Sequence, residues 1–438
     1  MDEELRLLED TVLTQMEGKF SGIPDEKARK QLVTGILKSL SLSVSKEDVD
    51  RIIADMNDFY PIEKYLADES IEDIMINNTR NIFIYREGEG SEKLKDSIDD
   101  QGELNQLVNK LKLYATNEIV KGSILDVHLP NGSRANIITS PMGYNITIRN
   151  FKKQPMSILD LINREELDYQ LAARFWLYVD GLHTRPANLL IGGMPASGKT
   201  TLLNALFSFF RPEQRIVTIE ETYELDTSTQ ENCVQLETDE DMTMEELVKN
   251  ALRMRPDMII VGEVRGAEAS DMITAMNVGK ISMGTIHASS TRDIINRLTH
   301  TPMNVPMDII PVIDALVVVS TVYSNGTPTR KITQISEISG IETQVLLSDL
   351  YKYDYKTHLS STPVPTVTYR DVLSKLLAIS PADIMAEERV RASILEKLNK
   401  LGKRDMKSMS EAVKDYYDNP DAMLKKIGLG NMEPAVRI

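Results

Sequence analysis

With 438 residues, the chain has room for two or three domains, each with a core of its own. Its 42% hydrophobic and 26% charged residues are the balance of a globular protein, and a net charge of -16 argues against nucleic-acid affinity spread over the whole chain. A single cysteine, Cys233, excludes internal disulfides and zinc sites built on two or four cysteines, and it reads as a small core residue of an apparent strand.

From Met1 to about Leu66 the segments LRLLEDTVLTQM, KARKQLVTGILKSL and KEDVDRIIADMNDFY place apolar residues three and four apart, which predicts charged amphipathic helices. Ser45 reads as an N-cap with Asp48 three residues on. Helices of this kind suit packing or partner docking better than catalysis. The acidic start is unlike a secretory signal, and no apolar run approaches the ~20 residues that span a bilayer. The expectation is a soluble, cytoplasmic protein whose membrane contact goes through a partner.

From Asp68 to Asn150 the pattern is mixed α/β. SIEDIMINN reads as a helix start or a strand, NIFIY as a strand and LNQLVNKLKLYATN as a helix. SILDVHLPNGSRANIITS gives two strands joined at Asn131-Gly132, and YNITIRNF gives a third. Arg134 and Arg149 fall on the last strands, where residue type alone suggests a solvated face.

A basic, proline-containing connection, Lys152 to Pro155, marks a domain boundary. Beyond it, helices lead into NLLIGG, RIVTIEET, CVQLET, MIIVGE, ISMGTIH and ALVVVST, apolar strands alternating with helical segments. That alternation implies a largely parallel sheet covered on both faces. TRKITQISEI and TQVLLSDLYKYD extend the sheet as a hairpin, SSTPVPTVTY is a linker, and residues from Arg370 onward are helical again.

Chemistry concentrates at the strand ends. NLLIGGMPASGKTTLLNAL joins a strand to a helix through G-x-x-x-x-G-K-T, the phosphate-binding loop. Gly193, Pro195, Ala196, Ser197, Gly198, Lys199, Thr200 and Thr201 are its binding residues: backbone N–H groups curl round phosphate, Lys199 adds a point charge, and Thr200 a hydroxyl for Mg²⁺. RPDMIIVGEVRG ends a strand in Gly262-Glu263, where many such ATPases have Asp-Glu, and Glu263 is the candidate for activating water. RIVTIEETYEL gathers Glu220, Glu221 and Glu224, carboxylates that repel one another unless they face a cation. An exposed acidic loop is the alternative for these three. GTIHASS sets His287 at another strand end, as a γ-phosphate sensor rather than a base, with a satisfied core histidine as the alternative.

In this order and spacing, GGMPASGKTTLLNAL, TIEETYEL, NALRMRPDMIIVGEVRG and GTIHASS closely resemble the secretion ATPases of type II and type IV secretion, type IV pilus assembly and the archaellum motor. The resemblance implies an α/β fold. It comprises an N-terminal helical region (1–66), an αβ domain (67–151), a RecA-like P-loop NTPase domain (156–355) and C-terminal helices (366–438). It also implies Mg²⁺-dependent ATP hydrolysis in a hexameric homo-oligomeric ring. Glu263, Glu224 and Glu220 then match catalytic carboxylates, and Glu221 stands where the family usually has Asp. Thr200 would hold Mg²⁺, with Glu263 and Glu221 reaching it through water. Arg134 and Arg149 match arginines that reach the γ-phosphate from the N-terminal domain. The implied partners are a polytopic membrane platform protein and, indirectly, pilin-like subunits, with no nucleic acid. Pilus assembly or secretion is favoured over archaellum rotation. A DNA-translocating motor is disfavoured by the charge, and a scaffold with little turnover by the intact Lys199, Glu224 and Glu263.

Overall fold

The computed structural model describes residues 11–20, 26–39, 45–56, 58–86, 89–115, 124–140, 143–150, 155–211, 213–239, 241–324, 327–357, 359–361 and 364–436. Residues 5–10 of the first predicted helical segment and the side chain of Asp48 lie outside the described part. The chain divides into two units, Met1–Lys153 and Gln154–Ile438. Among the described residues no helix is long and apolar enough to cross a membrane.

In the first unit, helices α1 (Glu26–Ser39), α2 (Lys46–Met56) and α3 (Glu63–Leu66) precede strands β1 (Ile71–Asn78), β2 (Asn81–Arg86) and β3 (Gly90–Lys93). Helix α4 (Gln101–Lys112) and strands β4 (Ile124–His128), β5 (Arg134–Ser140) and β6 (Gly143–Arg149) follow. The strands form one antiparallel sheet in the order β3-β2-β1-β6-β5-β4. Alternation decides its faces: Ile74, Ile76, Ile82, Ile84, Ile137, Ile146 and Ile148 point into a core shared with Leu104, Leu107, Val108 and Leu111 of α4 and with Ile52 and Met56 of α2. In β1 both Ile71 and Ile74 are buried, although they stand three apart, because the pairing with β2 slips between Ile71 and Asp73. The opposite face carries a cross-strand row: Asp73 beside Arg149, Arg149 beside Arg134, Arg134 beside His128.

The second unit opens with α5 (Ile158–Asn163) and α6 (Tyr169–Asp180) and then alternates. Its elements are β7 (Leu189–Gly193), α7 (Lys199–Leu206), β8 (Ile216–Glu220), β9 (Cys233–Glu237), α8 (Met244–Ala251), β10 (Met258–Val264), α9 (Glu268–Asn277), β11 (Ile281–His287), α10 (Thr291–Thr299) and β12 (Ala315–Ser324). The sheet runs β15-β14-β13-β12-β7-β11-β10-β8-β9, where β13 is Thr327–Ile341, β14 Val345–Asp354 and β15 Leu359–Ser360. From β12 to β9 it is parallel, and β13 to β15 continue it antiparallel. β7 and β8 are buried at every position, the signature of strands covered on both faces. One core holds Leu189, Ile191 and Val317 against α6 and the C-terminal helices; the other holds Leu190, Val217 and Ile259 against α8, α9 and α10. Cys233 is half-buried rather than enclosed, because β9 is the edge strand.

Four helices close the unit: α11 (Thr368–Leu377), α12 (Pro381–Lys400), α13 (Met406–Asp418) and α14 (Pro420–Lys426). A buried ionic cluster ties α12 and α13 to α6. Arg391 is 2% exposed, and its guanidinium donates to Asp180 Oδ1 and to Glu387 Oε1, both at 2.9 Å. Tyr416 donates to the same Glu387 oxygen, whose partner oxygen accepts from the backbone N–H of Ala435. The guanidinium carbon lies 5.0 Å from the centre of the Trp176 ring. Trp176 in turn stacks on Phe209 and donates to Tyr417 Oη at 2.7 Å, and Tyr417 donates to the Phe209 carbonyl at 3.0 Å. Removing one member of a buried ion pair strands the others. Arg391→Ala is therefore expected to cost about 3–5 kcal/mol, read as a lower denaturant midpoint with an unchanged slope.

Candidate active site

The strand ends of β7, β8, β10 and β11 deliver side chains to one edge of the parallel sheet, the edge where ligands bind in such folds. β7 ends in Gly193, and α7 begins at Lys199 with Gly198 as its cap at φ 99°. Neither glycine could carry a side chain without displacing its surroundings. A Cβ at Gly193 would stand 2.2 Å from Ser197 Oγ and 2.6 Å from the Val319 carbonyl. At Gly198 the conformation is left-handed, and the stem of Arg330 on β13 lies 3.1 Å from the Cβ position. The loop backbone is therefore pressed against β12 and β13, a cradle that a side chain would fill. Pro195 and Ala196 are exposed, Thr200 and Thr201 half-buried, and Ser197 buried. Among the described residues the Ser197 hydroxyl has no hydrogen-bond partner.

Lys199 is 7% exposed and donates to the Met194 carbonyl at 3.2 Å, with His287 Nδ1 3.3 Å from its ammonium. Burial lowers its pKa, while Glu263 and Glu224 pull it back up. His287 Nε2 lies 2.5 Å from Glu263 Oε1. One neutral tautomer satisfies both contacts, with Nδ1 accepting from the ammonium and Nε2–H donating to the carboxylate. Burial, then Lys199, hold the imidazole pKa below its usual value, which favours that neutral form.

Glu263 also accepts two hydrogen bonds from Arg265, Nε to Oε1 at 2.8 Å and Nη2 to Oε2 at 2.9 Å. Burial pushes its carboxyl upward, but Arg265, His287 and Lys199 outweigh burial and hold it below the ordinary range. The third arm of Arg265 reaches Glu221 Oε2 at 2.8 Å. A continuous chain of polar contacts thus runs Lys199, His287, Glu263, Arg265, Glu221 across four separate sequence segments. A bulge aims Glu263: against β11 the β10 register passes from Val261 opposite Gly284 to Val264 opposite Ile286, two residues facing one. Thr285 Oγ1 donates to the Gly262 carbonyl at 2.6 Å and pins the bulge.

Glu220 stands apart from this chain. It is 2% exposed at the end of β8, and its Oε1 accepts the backbone N–H of Glu224 at 3.0 Å and of Leu225 at 3.1 Å. Burial pushes its carboxyl up to about 7, against those two hydrogen bonds. Glu221 and Glu224 are exposed on the loop that follows.

Sequence reading missed three residues that organise the site. Arg265 reads as an ordinary basic residue after a strand. Glu268 looks like surface helix, yet it is buried and its Oε1 accepts the N–H groups of Arg265 and Gly266 at 2.6 and 2.7 Å, which fixes the turn carrying Arg265. Asn204 on α7 donates to the Glu224 carbonyl and accepts from the Asp226 N–H, both at 2.8 Å, tying the carboxylate loop to the helix that begins at Lys199. A signal for Asn204 was present: a polar residue within an otherwise apolar helix start.

Arg134 and Arg149 belong to the first unit. Arg149 is exposed, and Arg134 lies 3.4 Å from Asp126.

Strand order, cradle and strand-end carboxylates define a RecA-like P-loop fold. Residues 55–331 match the family model of the type II/IV secretion system proteins, and the chain belongs to that family. It is 38% identical over 233 residues to an uncharacterised protein of Methanocaldococcus jannaschii, MJ0781, covering 50% of this chain and 32% of that one. The chain thus spans about a third of that relative's length. It is 29% identical to the type IV secretion system protein VirB11 of Bartonella henselae, covering 55% of this chain and 78% of VirB11. The crystal structure of the pilus retraction motor PilT with bound ADP overlays loosely, with a TM-score of 0.47, 17% identity, and coverage of 85% and 96%.

Proposed function

We propose that this chain is a Mg²⁺-dependent ATPase that works as a cytoplasmic motor, driving assembly of type IV pilus-like filaments or secretion through a membrane platform protein. The observation that carries this is the convergence of Lys199, His287 and Glu263 beside a cradle too tight for side chains at Gly193 and Gly198. The residues present fit a nucleoside triphosphate. Loop N–H groups and the helix start donate to phosphate oxygens, the buried Ser197 hydroxyl offers a further donor, and Lys199 supplies charge. Thr200 would hold Mg²⁺, with Glu263 and Glu221 behind water. The ion would neutralise charge that develops on the phosphates.

The protein's own groups supply the rest. Glu263, ionised and freed from one of its present donors, orients a water and accepts its proton. His287 in its neutral form passes information between Lys199 and Glu263, since a phosphate drawing on the ammonium weakens the contact at Nδ1. Glu224 places a further carboxylate on the loop tied to α7.

In this reading Arg134 and Arg149 serve the γ-phosphate in a hexameric ring. Arginines of this type are worth roughly 10³–10⁵ in rate. Arg149→Ala is accordingly expected to lower kcat by about that factor with ATP affinity retained; unchanged turnover would return Arg149 to a solvated strand face. The reading as a whole is tested by phosphate release from Mg²⁺-ATP by the purified protein, assayed as monomer and as ring. No release in either form would sink it. The filament or secretion assignment draws on the relative named for type IV secretion. A strain lacking this chain should lose surface filaments or an exported substrate.

A further inference from the structure

We infer that Glu220 is a positioning residue that sets the loop bearing Glu221 and Glu224, and that it does so from the space left by the missing side chain of Gly262. This rests on the hydrolytic reading of the site and assigns Glu220 a part in it other than contact with nucleotide or metal.

Two independent observations meet here. The first is the pair of hydrogen bonds from Glu224 N and Leu225 N to one carboxylate oxygen, on a side chain 2% exposed. A buried acceptor taking two consecutive backbone donors fixes the direction in which the chain leaves β8, and so where the Glu221 and Glu224 side chains can reach. The second is steric. A Cβ at Gly262 would stand 2.9 Å from Glu220 Cγ and 3.4 Å from its Cβ. An aspartate in the strand-end position before Glu263 would need the volume that Glu220 occupies. Gly262-Glu263 in place of Asp-Glu is therefore the condition for Glu220 to lie flat between β8 and β10 and hold the loop. Asn204 and Gln235 support the same loop, through the Glu224 and Leu225 carbonyls at 2.8 and 3.1 Å. The carboxylate satisfies the donors, these amides the acceptors.

Three variants of the full chain test this. Glu220→Ala should lower kcat roughly 10²-fold, the effect of a small misplacement at a reacting centre, with ATP affinity near wild type. Glu220→Gln, whose amide oxygen can still accept from both N–H groups, should restore most of that loss. Gly262→Ala should reproduce the Glu220→Ala defect by pushing Glu220 aside, and the double variant should be no worse than Glu220→Ala alone, as for two changes acting through one contact. Hydrogen exchange at the Glu224 and Leu225 amides should speed up roughly tenfold in Glu220→Ala, the loss of one ordinary hydrogen bond, and stay slow in Glu220→Gln. A Gln variant as inactive as the Ala variant, with a raised Mg²⁺ requirement, would overturn the inference in favour of direct contact. Unchanged exchange in Glu220→Ala would also overturn it. Should the wild type release no phosphate, the hydrolytic reading falls, and the exchange measurement still decides what Glu220 holds.

Discussion

Glu263→Gln is expected to bind Mg²⁺-ATP as the wild type does and to hydrolyse it roughly 10²- to 10⁴-fold more slowly, the usual worth of a positioned general base. The substitution keeps volume and one acceptor oxygen while removing charge. Arg265 holds Glu263 through both oxygens and Glu221 through its third arm, so in the Gln variant it retains Glu221 and one oxygen of residue 263. The turn at Arg265 is fixed independently by Glu268, which keeps the defect local. Single-turnover phosphate release alongside equilibrium binding of a fluorescent nucleotide separates the two effects. Wild-type hydrolysis in the Gln variant would remove Glu263 from the chemistry.

Lys199→Ala should act on the other parameter. The ammonium is buried beside His287 and the loop carbonyl of Met194, in surroundings that disfavour its charge until an anion arrives. A charge-assisted hydrogen bond to phosphate is worth about 1.5–3 kcal/mol, a ten- to hundredfold loss of affinity in round terms. Titration calorimetry with ADP and ATP should show the loss for both. Affinity within experimental error of wild type would mean that phosphate sits elsewhere.

Much of this site was legible because its parts are local. A strand, a glycine-rich turn and a helix start are contiguous in NLLIGGMPASGKTTLLNAL, and the apolar runs that end in Glu220, Glu263 and His287 mark strand ends without knowledge of their partners. What was not legible depends on pairing. The β1 segment stood between helix and strand because Ile71 and Ile74 are three apart. Only the slip against β2 makes that spacing compatible with one buried face. The bulge at Gly262-Glu263 exists only against β11, and the gap that admits Glu220 exists only between β8 and β10. Arg265 and Asn204 act through bonds to residues 44 and about 20 positions away, a separation that no periodicity records.

The stack from Arg391 through Trp176 to Phe209 bears on how the protein can be handled in the laboratory. Phe209 closes the turn at the end of the helix that starts with Lys199, so a chain cut before α11 would leave Trp176, Phe209 and the Asp180 carboxylate facing solvent. Such a fragment would carry a sticky aromatic scar and should precipitate rather than yield a minimal catalytic domain. In the uncut chain the same stack makes the residues from α11 onward part of one melting unit with the phosphate-loop site. A ligand at that pocket should then raise the thermal midpoint of the C-terminal helices together with that of the sheet.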